Sequence, residues 1–447
     1  MVGLSKLKQN GFVWAALVVA LTLRLVVVFT AYASAEPHTS DALYYILVAI
    51  EPVRLIARSD AAVKAIGPLY PLFLVPFFHL IPERAATTQL IAVRVAQALL
   101  DTVAVGLVYL LARAAFGERV GRLALVVQAT DARYLFQAGA IATETLFIAL
   151  FVAFMLSYTL AIQRADLGKY RWAGVLLGLA ILTRPVPLLF PVALAVLAWL
   201  RPQARLWKGL VWMTVMMLVI VLPWIIRTLV VTGEPIPIAT TAFSHLWLAS
   251  REDGRELGGQ SWEQAAVQEA GEEGVDTAIA DLSGEEYVTT SVRNILAAPG
   301  QWIGRIVGDT VRAYLQPYGT HFLLDPSSTG VKDSLRDFLN GRTSLSQLLA
   351  IPGFGRRVLM YLWHFWGLAG GVVGAVWMGH DRRWNALPLV WWIAYGTLVS
   401  APLLVEPRYL FPLMFAYTIL AAYATVQGWD ALWRHAVARQ APPQEHG

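Results

Sequence analysis

Apolar residues fall into long runs along the chain, and short polar or basic stretches separate most of these runs. A helix needs about 20 mostly apolar residues to cross the hydrocarbon core of a bilayer. The runs therefore predict an all-α polytopic membrane protein with about ten spanning helices. The predicted spans are 11–33, 89–112, 120–138, 145–162, 172–183, 185–200, 210–226, 358–378, 386–401 and 409–426.

The composition agrees with a membrane body. Of the 447 residues, 57% are hydrophobic and only 15% are charged, which is too few charges to cover a soluble surface. The formal charge of +5 does not indicate nucleic-acid binding, because the basic residues sit in short clusters between apolar runs. The chain has no cysteine, which excludes disulfides and thiolate metal sites. We interpret residues 1–447 as one integral, multi-pass membrane domain.

The first apolar run resembles a secretory signal, because Lys6 and Lys8 precede it and Ala33-Ser34-Ala35 follows it. Such a signal has an apolar core of about 7 to 15 residues. The run at 14–33 is longer, and Arg24 interrupts it. We therefore expect it to be retained as the first span.

Basic clusters recur in every second connection between the predicted spans. Cytoplasmic connections of membrane proteins carry an excess of Lys and Arg, so this side is predicted to be cytoplasmic, with both termini on it. The clusters are Lys6/Lys8, Arg113/Arg119/Arg122, Arg164/Lys169/Arg171, Arg201/Arg205/Lys208, Arg382/Arg383 and Arg434/Arg439.

The opposite, outer face receives two long connections, 36–88 and 230–357. Within the first, 67–81 is apolar but short and proline-rich, which predicts a helix lying in the membrane interface. A spanning helix there would turn all later basic clusters outward, and the charge bias rejects that. In the second, 251–286 holds eleven acids against two bases and should be solvated, whereas 288–314 regains helical periodicity.

Two carboxylates and several cations are predicted at the outer ends of helices. Asp41 follows the first span, and Glu144 lies in the turn between the third and fourth spans. Two such carboxylates flanking one cavity would suit a base and an acceptor-orienting partner. Arginine forks match phosphate oxygens, so the cations could hold an anionic leaving group, although any single arginine could equally snorkel to lipid headgroups. The cationic candidates are Lys64, Arg184, Arg227 and Arg408.

Other polar residues have more ordinary interpretations. Asp131 and Arg133 are expected to form a structural ion pair inside the bundle, and Glu406 could simply pair with Arg408. The histidines show no paired ligand spacing, so no metal or other cofactor is predicted. Three of the histidines in the outer connections are expected to be solvated rather than substrate-facing, and three aromatic residues could stack on a sugar. These are His38, His245 and His321, and Tyr44, Tyr45 and Trp247.

Six short motifs occur in an order that resembles a known family. They are Ser-Asp-Ala-Leu-Tyr-Tyr at 40–45, Gly-Pro-Leu-Tyr-Pro at 67–71, Ala-Thr-Glu-Thr-Leu-Phe at 142–147, Leu-Thr-Arg-Pro at 182–185, Leu-Pro-Trp-Ile-Ile-Arg at 222–227 and Glu-Pro-Arg-Tyr-Leu-Phe-Pro at 406–412. Over about 21–426 the chain resembles the GT-C integral-membrane glycosyltransferases. The specific likeness is to the family 39-like group, which includes protein O-mannosyltransferases and the aminoarabinose transferase acting on lipid A.

The resemblance assigns roles to the candidate residues. It implies that Asp41 is the base or binds the acceptor hydroxyl, that Glu144 is the second acid, and that Arg184 and Arg408 hold the carrier phosphate. Lys64 and Arg227 match the family's cations more loosely. Many relatives have Asp-Glu where this chain has Asp41-Ala42, and a proline near the position of Asp131, so acceptor handling is expected to differ.

The implied function is transfer of a sugar from a polyprenyl-phosphate donor to a hydroxyl acceptor on a lipid, glycan or protein. The expected site is the outer face of a bacterial inner membrane, and the resemblance implies a single displacement with inversion. A transporter or flippase for a lipid-linked saccharide is the alternative, but such proteins tend to carry internal repeats and midplane charges. Which of Asp41 and Glu144 is the base stays open.

Overall fold

The structure is a computed structural model that describes residues 11–33, 40–57, 66–82, 85–200, 204–233, 238–239, 241–251, 284–319, 336–351, 354–403 and 405–440. These residues form helices and turns, with no β-strand among them. In chain order the helices are α1 Gly11–Ala31, α2 Ser40–Ile50, α3 Arg54–Ala57, α4 Leu69–Leu80, α5 Ala86–Phe116, α6 Glu118–Thr130, α7 Ala132–Gln137, α8 Glu144–Arg164, α9 Leu167–Thr183, α10 Phe190–Leu200, α11 Ala204–Thr232, α12 Thr241–Ser250, α13 Gly284–Ala297, α14 Pro299–Leu315, α15 Leu345–Leu349, α16 Phe354–His380, α17 Leu387–Ser400, α18 Pro407–Leu410 and α19 Met414–Gln440.

Six helices in the described ranges are long and apolar enough to cross a membrane: α1, α5, α8, α11, α16 and α19. They confirm the prediction of an integral, multi-pass membrane protein built from helices. Each falls on one of the predicted spans. The count of about ten is not confirmed, because the other four predicted spans correspond to shorter or interrupted helices.

The predicted span 120–138 is interrupted at Asp131. Helix α6 ends before Asp131, whose backbone is extended and whose side chain caps α7 by accepting a hydrogen bond from the Arg133 amide at 3.0 Å. Aspartate favours this capping role over a position inside a helix. The predicted spans at 172–183 and 386–401 become α9, of 17 residues, and α17, of 14 residues.

Aromatic side chains join three helices in the centre of the bundle. The ring of Trp392 in α17 is fully buried and lies 3.9 Å from the ring of Phe151 in α8 and 5.4 Å from that of Phe190 in α10. Burying large rings against each other stabilises the packing through their area and through favourable ring geometry. This cluster ties α8 to the C-terminal helices.

Small residues allow the tightest helix pairs. A Cβ atom at Gly374 in α16 would collide with the carbonyl oxygen of Leu420 in α19, and one at Gly174 in α9 would collide with that of Met213 in α11. Membrane helices associate closely where glycine lets their backbones approach. These contacts fix α16 against α19 and α9 against α11.

Among the described residues, one buried ion pair joins α1 to α5 and another lies at the start of α7. Arg24 Nε of α1 lies 2.5 Å from Asp101 Oδ2 of α5, and Arg133 Nη2 lies 2.5 Å from Asp131 Oδ2. Arg133 also lies 2.9 Å from Nδ1 of His364 in α16. Asp131 and Arg133 thus form the structural ion pair that the sequence predicts, and removing either partner would leave a buried charge.

Helices lie within both long connections. The proline-rich segment 67–81 contains α4, and the periodicity over 288–314 corresponds to α13 and α14, which are separated at Ala298 and Pro299. Most of the acidic stretch 251–286, like His38 and His321, lies outside the described residues. Arg305 of α14 donates to the backbone carbonyl oxygens of Ser250 and Arg251, and so holds α14 against the end of α12.

Candidate functional site

Asp41 lies in the first turn of α2, at one end of the bundle. Its side chain is 39% exposed, and its Oδ2 accepts a hydrogen bond from Nη1 of Arg408 at 2.6 Å. Arg408 lies in the short helix α18, whose first residue is Pro407, a residue type favoured at that position because its φ suits a helix start. Residues from opposite ends of the chain therefore meet in one ion pair.

Glu144 begins α8 and is fully buried. Its Oε1 accepts hydrogen bonds from Nη1 of Arg184 at 2.5 Å and from Nε of Arg408. Arg184 follows α9 with an extended backbone, as expected for a residue before proline, and its Nη1 also lies 3.3 Å from Oγ1 of Thr143. The buried carboxylate is thus bound by two guanidinium groups.

Arg184, Glu144, Arg408 and Asp41 form a chain of alternating charges, which we call the charge cluster. Glu144 is buried behind the arginines, whereas the side chains of Arg184 and Arg408 are 11% and 22% exposed. The bound carboxylates hold the guanidinium groups of both arginines in place, because charge-assisted hydrogen bonds are the strongest that guanidinium groups form. The cluster presents two oriented cations and one accessible carboxylate.

A cavity of about 330 Å³ adjoins the charge cluster. Asp41, Arg184 and Arg408 line it, together with Tyr44 of α2, and helix α12 forms another part of its wall. Glu144 is not among the lining residues. The volume is at the small end of the range for ligand sites, about 300–1,000 Å³, and suits a small polar group.

Tyr44 and Tyr45 lie side by side in α2 but have different surroundings. Tyr44 is half-buried and faces the cavity, as expected for a ring that could stack on a sugar. Tyr45 is buried, and its ring meets that of Tyr70 of α4 edge-on at 4.9 Å. Burial raises the pKa of Tyr45 to about 12, so its hydroxyl stays protonated at neutral pH.

Arg227 is the predicted site residue that the structure does not bring to the charge cluster. Its guanidinium lies 5.0 Å from the ring of Trp224, and its Nη2 donates to the carbonyl oxygen of Arg54 at 3.2 Å. These contacts turn Arg227 toward α3, and it does not line the cavity. The structure thus places Arg227 apart from the lining residues of this cavity, and its role at the carrier phosphate stays a prediction. Lys64 lies outside the described residues.

His245 and Tyr409 line the cavity, whereas sequence reasoning favoured a solvated His245 over a substrate-facing one and gave Tyr409 no role. Nδ1 of His245 contacts the carbonyl oxygen of Thr241, and Nε2 lies 2.8 Å from the Tyr409 hydroxyl. Because a carbonyl only accepts, Nδ1 carries the proton and neutral Nε2 accepts from Tyr409. Burial lowers the pKa of His245, which favours this neutral form. Tyr409 could have been suspected from its place beside Arg408.

Glu406 also lines the cavity, but it is not the partner of Arg408. Arg408 pairs with Asp41 and Glu144 instead. The alternative that Glu406 simply neutralises Arg408 is therefore wrong. Within the described part of the chain, no three His, Asp or Glu side chains come together as a metal site.

A sequence model of the family described as dolichyl-phosphate-mannose-protein mannosyltransferase matches residues 67–226. This segment contains Glu144 and Arg184 but neither Asp41 nor Arg408. No curated protein sequence matched the chain.

Solved structures resemble nearly the whole chain. The oligosaccharyltransferase of Archaeoglobus fulgidus in its apo form matches with a TM-score of 0.51 and 14% identity, over 97% of this chain and 53% of that one. The same enzyme tethered to an acceptor peptide containing the NVT sequon gives 0.51 and 14%, over 95% and 50%. ArnT of Cupriavidus metallidurans, bound to undecaprenyl phosphate, gives 0.42 and 17%, over 97% and 81%.

The two matches to the oligosaccharyltransferase establish the fold. The chain has the GT-C fold of integral-membrane glycosyltransferases, as the motif order indicated. It spans about half the length of the oligosaccharyltransferase that it matches.

Proposed function

We propose that this protein is a glycosyltransferase that moves a sugar from a polyprenyl-phosphate donor to a hydroxyl acceptor at the outer face of a bacterial inner membrane. The observation that carries the proposal is the charge cluster at the cavity, where two oriented guanidinium groups adjoin one accessible carboxylate. The guanidinium groups can stabilise a departing phosphate, and the carboxylate can accept the proton of an attacking hydroxyl.

The match to the mannosyltransferase family supports a donor in which the sugar is joined to a lipid phosphate. Such a donor also gives a reason for a membrane-embedded body, since its lipid chain must stay in the bilayer. The acceptor is a hydroxyl group of a lipid, a glycan or a protein. Tyr44 is proposed to contact the transferred sugar, because its ring faces the cavity beside Asp41.

The helix that carries Glu144 supports the proposed orientation. Helix α8 has 21 residues and places Arg164 about 30 Å from Glu144. The basic residues Arg164, Lys169 and Arg171 therefore lie at the opposite end from the cavity. Because cytoplasmic connections carry an excess of Lys and Arg, this separation supports a cavity at the outer face and termini in the cytoplasm.

The reaction is a displacement at the anomeric carbon. The acceptor hydroxyl passes its proton to a carboxylate while its oxygen forms a bond to the anomeric carbon. The bond from that carbon to the phosphate oxygen breaks, and the phosphate leaves with the electron pair. Arg184 and Arg408 stabilise the negative charge that develops on the departing phosphate.

Asp41 is the better base of the two carboxylates. A general base must come within hydrogen-bond reach of the hydroxyl that it deprotonates. Asp41 faces the cavity, whereas Glu144 is fully buried behind the two arginines that bind it. We assign Asp41 as the base and Glu144 as the residue that positions Arg184 and Arg408.

The test is transfer of radiolabelled sugar from polyprenyl-phosphate donors by the purified protein in lipid bilayers. Parent protein should transfer sugar, and Asp41→Asn should lose at least about a hundredfold of the rate. Arg119→Gln is the matched control, because it breaks an exposed ion pair with Asp430 at the opposite end. It should keep the parent rate.

Failure of the parent with every polyprenyl-phosphate sugar would contradict the proposal. Equal rates in the parent and Asp41→Asn would remove Asp41 from the role of base. The fold and the family match do not favour the transporter alternative.

A further inference from the structure

The carboxylate that we assign as the base is already bound in this structure. Oδ2 of Asp41 accepts a hydrogen bond from Nη1 of Arg408 at 2.6 Å. The same arginine is one of the two cations proposed to bind the donor phosphate. Arg408 therefore has two roles that conflict unless its contacts change during the reaction.

The two carboxylates that bind Arg408 differ in access. Glu144 is fully buried and binds Nε of Arg408 and Nη1 of Arg184 at once. Releasing it would strand a buried charge, so it stays bound to both arginines. Asp41 is 39% exposed, and water can replace Arg408 as its partner. Asp41 is thus the exchangeable partner and Glu144 the permanent one.

The contact of Nε with Glu144 also fixes the direction of the Arg408 fork. With Nε bound to the buried Glu144, Nη1 reaches Asp41, which lines the cavity together with Arg408. A phosphate offers several acceptor oxygens to such a fork and binds it more strongly than a single carboxylate oxygen does. An entering phosphate would meet the nitrogen atom that now binds Asp41.

We infer that the donor phosphate and Asp41 compete for Arg408, so that binding of the donor releases Asp41 to act as the base. This inference rests on the proposed function and adds the order in which donor binding and release of Asp41 occur. Before the donor binds, Arg408 occupies the base. After it binds, the phosphate holds Arg408, and Asp41 is free to accept the proton of the acceptor hydroxyl.

The exchange also acts in the reverse direction. Transfer of the sugar turns a phosphodiester into a polyprenyl phosphate monoester, which carries more negative charge. Once Asp41 has given up the proton to water, its carboxylate again competes for Arg408. Asp41 therefore favours release of the polyprenyl phosphate after transfer. Before the donor binds, the same pairing with Arg408 keeps Asp41 from acting as the base.

The experiment measures equilibrium binding of a carrier that has no sugar, so no turnover occurs. Radiolabelled undecaprenyl phosphate and dolichyl phosphate are titrated against the protein in lipid nanodiscs. If the pair with Asp41 holds Arg408 in about nine of ten molecules, its removal should tighten binding about tenfold. Asp41→Asn and Asp41→Ala should both show this lower Kd, although both are expected to lose transfer activity.

Glu406→Gln is the matched control. Glu406 lines the same cavity and carries the same charge, but Arg408 pairs with Asp41 and Glu144 rather than with it. Its removal tests the general effect of one negative charge fewer near the phosphate. We expect a change in Kd of less than about threefold, because exposed charges act weakly at a distance.

The outcomes separate this inference from the proposed function. Tighter binding by both Asp41 variants, beyond that of Glu406→Gln, supports the competition. Binding by the parent with no gain in the Asp41 variants overturns the competition and leaves the transferase intact. An equal gain in Glu406→Gln also overturns it, because charge alone would then explain the effect. Failure of every protein to bind either carrier overturns the donor class, and the competition with it.

Discussion

Oε1 of Glu144 lies 2.5 Å from Nη1 of Arg184, although the two residues are 40 positions apart in the chain. Arg408 donates to the same oxygen atom through Nε. A carboxylate that holds two cations in place acts on the reaction only through them. Glu144 therefore sets the positions of both arginines at the site.

Glu144→Gln should destabilise the protein and reduce transfer. The amide cannot neutralise two neighbouring guanidinium groups, and breaking a buried ion pair costs about 3–5 kcal/mol. The melting temperature in detergent and the transfer rate should both fall. Glu118→Gln serves as control, because Glu118 pairs with half-exposed arginines and should cost about 1 kcal/mol or less. Equal losses in the two variants would contradict the role given to Glu144.

Arg408→Lys should lower the transfer rate by about a hundredfold to a thousandfold, the usual cost of losing one donor to developing charge. Arg408 contacts Glu144 through Nε and Asp41 through Nη1, and a single ammonium nitrogen cannot keep that geometry. The expected loss lies in kcat as well as in the donor KM. Steady-state kinetics over a range of donor concentrations would measure both, and an unchanged kcat would contradict this prediction.

Arg184→Lys and Arg227→Lys should behave differently, because only Arg184 lines the cavity. Arg227 instead lies against Trp224 and the backbone of Arg54. We expect Arg184→Lys to raise the donor KM about tenfold or more, since lysine loses the fork that matches phosphate. Arg227→Lys should leave the donor KM within about twofold of the parent value. A larger effect at Arg227 would return it to the site.

Gly67→Ala should disturb the site through the backbone. A Cβ at Gly67 would lie 2.5 Å from the carbonyl oxygen of Leu182 and 2.9 Å from that of Thr183, directly before Arg184. Relieving such overlap typically costs about 1–3 kcal/mol. Gly300→Ala in α14 meets no neighbour within 4 Å and should be neutral or stabilising. Melting temperatures and donor KM values would show whether only Gly67→Ala displaces Arg184.

The contact between His245 and Tyr409 should make stability depend on pH. Burial lowers the pKa of His245 from its ordinary value of 6.5, so the unfolded chain takes up a proton at a higher pH than the folded chain does. The stabilisation by neutral His245 is therefore complete above that range. It is lost as the pH falls below about 6.5, by at most about 1.4 kcal/mol per pH unit.

The measurement is the melting temperature of the parent and of His245→Gln between about pH 7 and pH 5, the range in which histidine titrates. Glutamine stays neutral and can still accept from Tyr409, so its melting temperature should fall less steeply. Glu406, Asp41 and Arg408 also act on the His245 charge and are present in both proteins. Parallel curves would assign the pH dependence to other groups.

The helices were predictable where apolar length alone decides. Helices α1, α5, α8, α11, α16 and α19 coincide with predicted spans, because a long apolar run has few stable alternatives to a membrane helix. Asp131 shows the limit of this argument. The apolar content of 120–138 indicated one span, but a local cap at Asp131 divides it. Hydropathy averages over a window and does not detect one capping residue.

The candidate site was predictable to the same extent. Asp41, Glu144, Arg184 and Arg408 could be selected by the sequence alone, because each is a charged residue at the end of an apolar run, where burial is costly without a purpose. By the same criterion Arg227 was an equal candidate. The criterion places a residue near one membrane face but does not say which neighbour it meets.

The sequence by itself determined that this protein lies in a lipid bilayer and that it is built of helices. It also determined the set of charged residues from which the site is built. These properties follow from local composition and length. Only the tertiary structure decided that Glu144 is buried between two arginines, that Arg408 reaches Asp41 across 367 positions, and that Arg227 turns toward Trp224. Such contacts depend on how distant helices pack, and packing is set by side chains that no local pattern brings together.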